Sequence, residues 1–76
     1  MNIYLLKRPD DEVGYDEVAG FILVAPNGKE ARELAANECG DEGPDTWTTP
    51  LVASCRKVGT SVRKSKHVLL QSFKHG

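Results

Sequence analysis

The apolar positions of this chain fall into short runs separated by longer polar stretches. "MNIYLLKR" puts Ile3 and Leu5 on one face of an extended segment and Tyr4 and Leu6 on the other. Apolar residues on both faces predict a central or well-covered strand. "PDDEVGYDEV" reads as a polar loop opened by Pro9 and hinged at Gly14. "AGFILVA", bounded by turn signals, predicts a second strand.

The pattern then changes period. In "PNGKEARELAANECG", Ala31, Leu34 and Ala35 share one helical face. Asn27 can cap the first turn, and Glu30 three residues on can reach back to it. Gly40 stands where a left-handed helix stop belongs, so the sequence predicts a helix over 28–39. A long connection over 40–50 follows. "LVASCRKVGT" and "KHVLLQSF" predict two more strands around a basic turn, "SVRKSK", although "LVASC" can also begin with a helical turn after Pro50. Strand, strand, helix, strand, strand is the order of an α+β domain: about four antiparallel strands with one helix on a face, over 1–76.

"NECGDEGPDTW" poses a local puzzle, because the only tryptophan ends a stretch with four acids, two glycines and a proline. Tryptophan is buried on average. Trp47 is therefore expected to fold back over the sheet or the helix end and pin the acidic loop to the core. Glu38, Asp41, Glu42 and Asp45 would then be displayed on a held loop, which loses less ordering entropy when a partner binds.

Composition adds bounds. A domain of 76 residues has a marginal core, and apolar residues make up only 39% of this one, so a second copy sharing the core is an open alternative. No apolar run approaches the 18 residues of a membrane span. The start, "MNIYLLKRPDDE", has neither the basic region nor the cleavage site of a signal peptide. Two cysteines, Cys39 and Cys55, are too few for a secreted disulfide framework. The expected location is the cytoplasm.

Charge changes the picture more. The formal net charge is −1, but all eleven acids lie between Asp10 and Asp45, where Lys29 and Arg32 are the only bases, a net of −9. Beyond Asp45 there are six cations and no acid. Such asymmetry points to charged partners. Asp10, Asp11, Glu12, Asp16 and Glu17 form a block of five carboxylates within eight residues, with Tyr15 among them. A block of that kind is either a solvated loop, partly balanced by Arg63, Lys64 and Lys66, or an interaction surface.

Other chemistry is poorly represented. The carboxylate spacing fits no calcium loop. Cys39, Cys55, His67 and His75 contain no paired zinc-ligand spacing. No Gly-x-Ser-x-Gly elbow, Walker loop or dinucleotide fingerprint occurs, so no enzyme, metal or other cofactor is expected. "CRKVGTSVRKSKH", with Arg56, Lys57, Arg63, Lys64 and Lys66, could contact phosphates as a basic hairpin over 56–66. It lacks interleaved aromatics on which bases would stack.

"IYLLKR", "GYDEVAGFILVA", "KEARELAA", "GDEGPDTW", "CRKVGT" and "VLLQSFKHG" together resemble a family of small proteins encoded by phages, prophages and their bacterial hosts. The resemblance covers nearly the whole chain, and "GDEGPDTW" is its most specific block. Family members close on Ser-Phe or Ser-Tyr followed by Asn-Ala-Gly; here the close is "SFKHG", and "SVRKSKH" is more basic than usual. The chain is also similar to anti-CRISPR proteins acting on type I-C systems. That resemblance implies a protein in the host cytoplasm that binds a CRISPR effector complex and blocks recruitment of target DNA. Asp10, Asp11, Glu12, Tyr15, Asp16, Glu17, Asp41, Glu42 and Asp45 would be the contacts, and Arg56, Lys57, Arg63, Lys64 and Lys66 a secondary surface. The alternatives are a phage accessory protein binding nucleic acid through the basic residues, and an interaction domain for another host target.

Overall fold

The computed structural model describes residues 1–8, 17–40, 42–50 and 52–73. Its strands are β1 (Asn2–Lys7), β2 (Val18–Ala25), β3 (Ser54–Thr60) and β4 (His67–Phe73); its helices are α1 (Gly28–Asn37) and the single turn α2 (Asp45–Thr48). The strands form one sheet in the order β3-β1-β2-β4, antiparallel throughout, with α1 on one face. This is the α+β fold read from the sequence. β1 is central, as its two apolar faces predict.

Pleating sorts the side chains. Tyr4 and Leu6 of β1 and Phe21, Leu23 and Ala25 of β2 join Ala31 and Ala35 of α1 in the core. The two helical alanines let α1 lie close to the sheet, which larger residues would prevent. A bulge at Ala19 turns Val18 into the same cluster. Two more bulges interrupt the edge strands, at Val58 in β3 and at Leu69 in β4. Those two side chains are exposed.

The start of α1 is built as its sequence predicts. The Asn27 side chain accepts from the Glu30 backbone at 2.9 Å and donates to the Glu30 carboxylate at 3.1 Å, a reciprocal cap. The end differs. α1 stops at Asn37, and its C-cap is Glu38 with φ −105°, whose N–H bonds the carbonyls of Leu34 and Ala35. The glycine with positive φ among the described residues is Gly43, at 84°, not Gly40. The left-handed turn is spent inside the acidic connection, where it aims the chain into α2. The predicted long connection thus contains a helical turn. A second turn, closed by the N–H groups of Val52 and Ala53 onto Thr49, comes before β3, so the strand starts at Ser54 rather than at residue 51.

The expected basic hairpin over 56–66 does not form. β3 and β4 occupy opposite edges of the sheet, so the 61–66 connection is a crossover, not a turn. It leaves β3 beside Asn2 and enters β4 beside Val24, crossing one end of the sheet. Met1 fastens it there. Its ammonium donates to the carbonyls of Ser61 and Arg63 at 3.0 and 3.3 Å, and its carbonyl accepts from Ser61 at 2.7 Å.

Candidate functional site: a charge-separated surface around a pinned acidic connection

Trp47 has no exposed surface and meets Phe21 edge to face, ring centroids 4.8 Å apart and planes at 82°. Burial alone would strand its indole N–H. Glu42 removes that cost, since one carboxylate oxygen accepts from Trp47 Nε1 and the other from the Val18 backbone N–H at 3.0 Å. The Thr46 hydroxyl closes the loop by donating to the Glu42 carbonyl at 3.0 Å. Arg32 completes the clamp from α1, donating to the carbonyls of Trp47 and Ala53 at 3.2 and 2.7 Å. The tryptophan at the end of the acidic stretch is therefore its anchor, and an acid of that stretch is the anchor's partner.

This changes where the expected acidic contacts stand. Glu42 is directed into the molecule, with both oxygens engaged. Glu17 pairs with the buried Arg8 at 3.1 Å, and Arg8 also bonds the Val18 carbonyl at 3.2 Å. Asp45 is exposed at the first position of α2, where a carboxylate favours the helix N-terminus. Glu33 is exposed on α1 and Glu38 at its C-cap. Asp10, Asp11, Glu12, Tyr15, Asp16 and Asp41 lie outside the described residues.

The five basic residues expected as a secondary surface all face solvent. Arg56 and Lys57 stand on β3, Arg63 and Lys64 on the crossover, and Lys66 at its end, 3.5 Å from the Glu30 carboxylate. Five exposed cations, with no acid among the residues of 54–66, thus line one edge and one end of the sheet. The helical layer carries exposed Glu33, Glu38 and Asp45 against a single exposed cation among its described residues, Lys29. The sequence-level asymmetry becomes a spatial one.

The thiols add no reactive centre. Cys39 and Cys55 are free and half-buried. Burial raises the Cys55 pKa above its ordinary value, against the opposing Arg32 charge; burial and then the Glu42 carboxylate raise that of Cys39. Both hold their thiol protons more tightly than a free thiol does. Among the described residues no group of three or more His, Cys, Asp or Glu side chains is placed to hold a metal ion, and no helix is long and apolar enough to cross a membrane.

The sheet face without α1 carries a shallow groove of about 320 Å³, lined among others by Leu5, Lys7, Gly20, Ile22, Leu70 and Ser72. A Cβ at Gly20 would stand 3.0 Å from the Leu6 carbonyl oxygen, a tight contact that the neighbouring backbone would have to relieve by a small shift. No family model, curated protein or solved structure matches this chain.

Proposed function

We propose that this protein is a non-catalytic inhibitor that binds a type I-C CRISPR effector complex and blocks its recruitment of target DNA. The observation that carries this reading is the charge separation. Exposed acids are carried by the helical layer, part of it held by the Trp47 anchor, and five exposed cations line the β3 edge and the crossover. A surface patterned in both signs selects a protein partner by complementarity and sets its orientation. The identity of that partner rests on the resemblance of "GDEGPDTW" and its flanking blocks.

Effector complexes hold DNA in cationic channels. Exposed carboxylates such as Glu33, Glu38 and Asp45, together with the sequence block Asp10, Asp11, Glu12, Asp16, would stand in for phosphates there. Glu42 and Glu17 are left out of the contact set, because their carboxylates are used internally. Arg56, Lys57, Arg63 and Lys64 would meet an acidic subunit surface.

A gel shift of target DNA with purified type I-C effector tests this, with a lane of the protein and DNA alone. Loss of the effector–DNA band without any shift by the protein supports the inhibitor, and an undisturbed band removes it. The clustered cations favour one second reading, an accessory protein that binds nucleic acid. That reading requires a shift in the control lane which weakens steeply with salt. Reversing Asp10, Asp11 and Glu12 to Lys should abolish inhibition with circular dichroism unchanged; normal inhibition would reduce those acids to a solubility role.

A further inference from the structure

The two edges of the sheet are built differently. Both carry a bulge, so the bulges do not distinguish them. Charge does. β3, "SCRKVGT", presents Arg56 and Lys57, the kind of residues that keep an edge strand from pairing with another chain. β4, "HVLLQSF", has no Lys, Arg, Asp, Glu, Pro or Gly over seven residues, and exposes Leu69 and Leu70. Among the described residues no strand pairs with its outer side.

The cross-strand rows of the face without α1 point the same way. One row runs Gly59, Ile3, Val24, His67; another runs Ser54, Lys7, Gly20, Ser72. The middle row runs Arg56, Leu5, Ile22, Leu70. It starts on a cation at the β3 edge and ends at the β4 edge on a leucine 60% exposed. The apolar row is closed by charge at the β3 edge and left open at the β4 edge.

We infer that β4 is a dimerisation edge, pairing antiparallel with β4 of a second copy so that Leu70 of each lies beside the twofold axis. The middle row then reads Arg56, Leu5, Ile22, Leu70 and back through the same residues of the partner copy, apolar throughout and closed by an arginine at each end. An isologous antiparallel contact sets residue i against j and j against i, with only the axis residue facing its own copy. An uncharged strand suits it, whereas pairing β3 about its middle would bring the adjacent Arg56 and Lys57 of the two copies together. The groove beside Leu70 extends the apolar patch on each copy. A seven-residue strand is about 23 Å long, and pairing along it buries less than the about 800 Å² per partner of a standard interface, the size class of weak, transient contacts. The inference stands on the sheet edges alone and does not depend on the proposed partner.

Light scattering on the full chain tests it at about 100 µM, a concentration at which a micromolar dimer is nearly fully formed. The expected mass is twice 8.3 kDa for the wild type and for Val58→Lys on the other edge, and 8.3 kDa for Leu70→Lys. A wild-type monomer, a dimeric Leu70→Lys or a monomeric Val58→Lys would each overturn the inference. Hydrogen exchange on the unaltered chain gives a second measurement: dilution to about 1 µM should deprotect the β4 amides and leave those of β1 unchanged. Protection of β4 that does not depend on concentration also overturns it.

Discussion

The two faces of the sheet obey different rules although they share every strand. On the α1 side, large groups are closed in and polar groups beside them are engaged: Trp47 against Phe21, its indole on Glu42, Arg32 on two carbonyls. On the other side, Leu5 and Ile22 are half-buried, Leu70 is exposed, and among the described residues no helix covers them. The first face is finished within one chain; the second still has apolar surface to bury. A domain this small commits its few large side chains to one layer, and what remains on the other is available to a partner.

Breaking the covered face should give the largest effect. Trp47→Ala removes a fully buried indole and leaves a cavity beside Phe21, so it should cost about 3–5 kcal/mol in urea unfolding, enough to unfold a marginal domain. Trp47→Phe sharpens the point by keeping a ring for Phe21 while removing the N–H. If the anchor is the hydrogen bond as well as the ring, Trp47→Phe and Glu42→Gln should be non-additive in a double-mutant cycle.

Glu42 comes next. Its replacement by Ala strips acceptors from Trp47 Nε1 and the Val18 N–H, so a loss of about 2–3 kcal/mol is expected, as for hydrogen bonds to a charged group. Asp45→Ala, a few residues away and exposed, should cost less than 1 kcal/mol through the helix N-terminus alone. Equal losses at the two positions would mean that Glu42 is not the internal staple its contacts describe. Asn27→Ala should fall between them, at about 1 kcal/mol, by removing the reciprocal cap of α1.

A pH titration probes the same face through its thiols. Burial raises the Cys55 pKa, so the folded state holds the thiol proton more tightly than the unfolded chain does. The resulting stabilisation is complete below the ordinary thiol value of 9.0 and is lost as pH rises through the higher folded-state value. Urea midpoints should therefore fall above about pH 9, and less so in Cys55→Ala.

These effects also mark how much could be read in advance. The covered face was legible wherever a local signal and a burial preference agreed. The alternation in β1, the Asn27–Glu30 cap and the burial of Trp47 each have one physical cause visible in a few neighbouring residues. The roles of Glu42, Glu17 and Arg32 were not legible, because an acid in an acidic stretch looks the same whether it meets solvent or an indole across the loop. Only the need of Trp47 for an acceptor pointed to Glu42, and nothing local pointed to Val18. The crossover was missed for a similar reason. "SVRKSK" is as suitable for a tight turn as for a span across the sheet end, and strand order is a property of long-range pairing.

The smallest effect belongs to the open face, and it tells the two faces apart most sharply. Leu70 is 60% exposed in the single chain, so Leu70→Ser removes little buried surface and should shift monomer stability by no more than about 0.5 kcal/mol. The same substitution acts differently if β4 meets a second copy. Any partner that binds only the folded state adds stability in proportion to the logarithm of its concentration. Wild-type melting temperature should then climb between about 1 and 100 µM protein, while Leu70→Ser stays flat across the range and meets the wild type at the dilute end. Trp47→Phe should behave the opposite way, displaced from the wild type by a similar amount at every concentration, because what it loses lies within one chain. Parallel curves for both variants would mean that the open face is closed off as fully as the covered one.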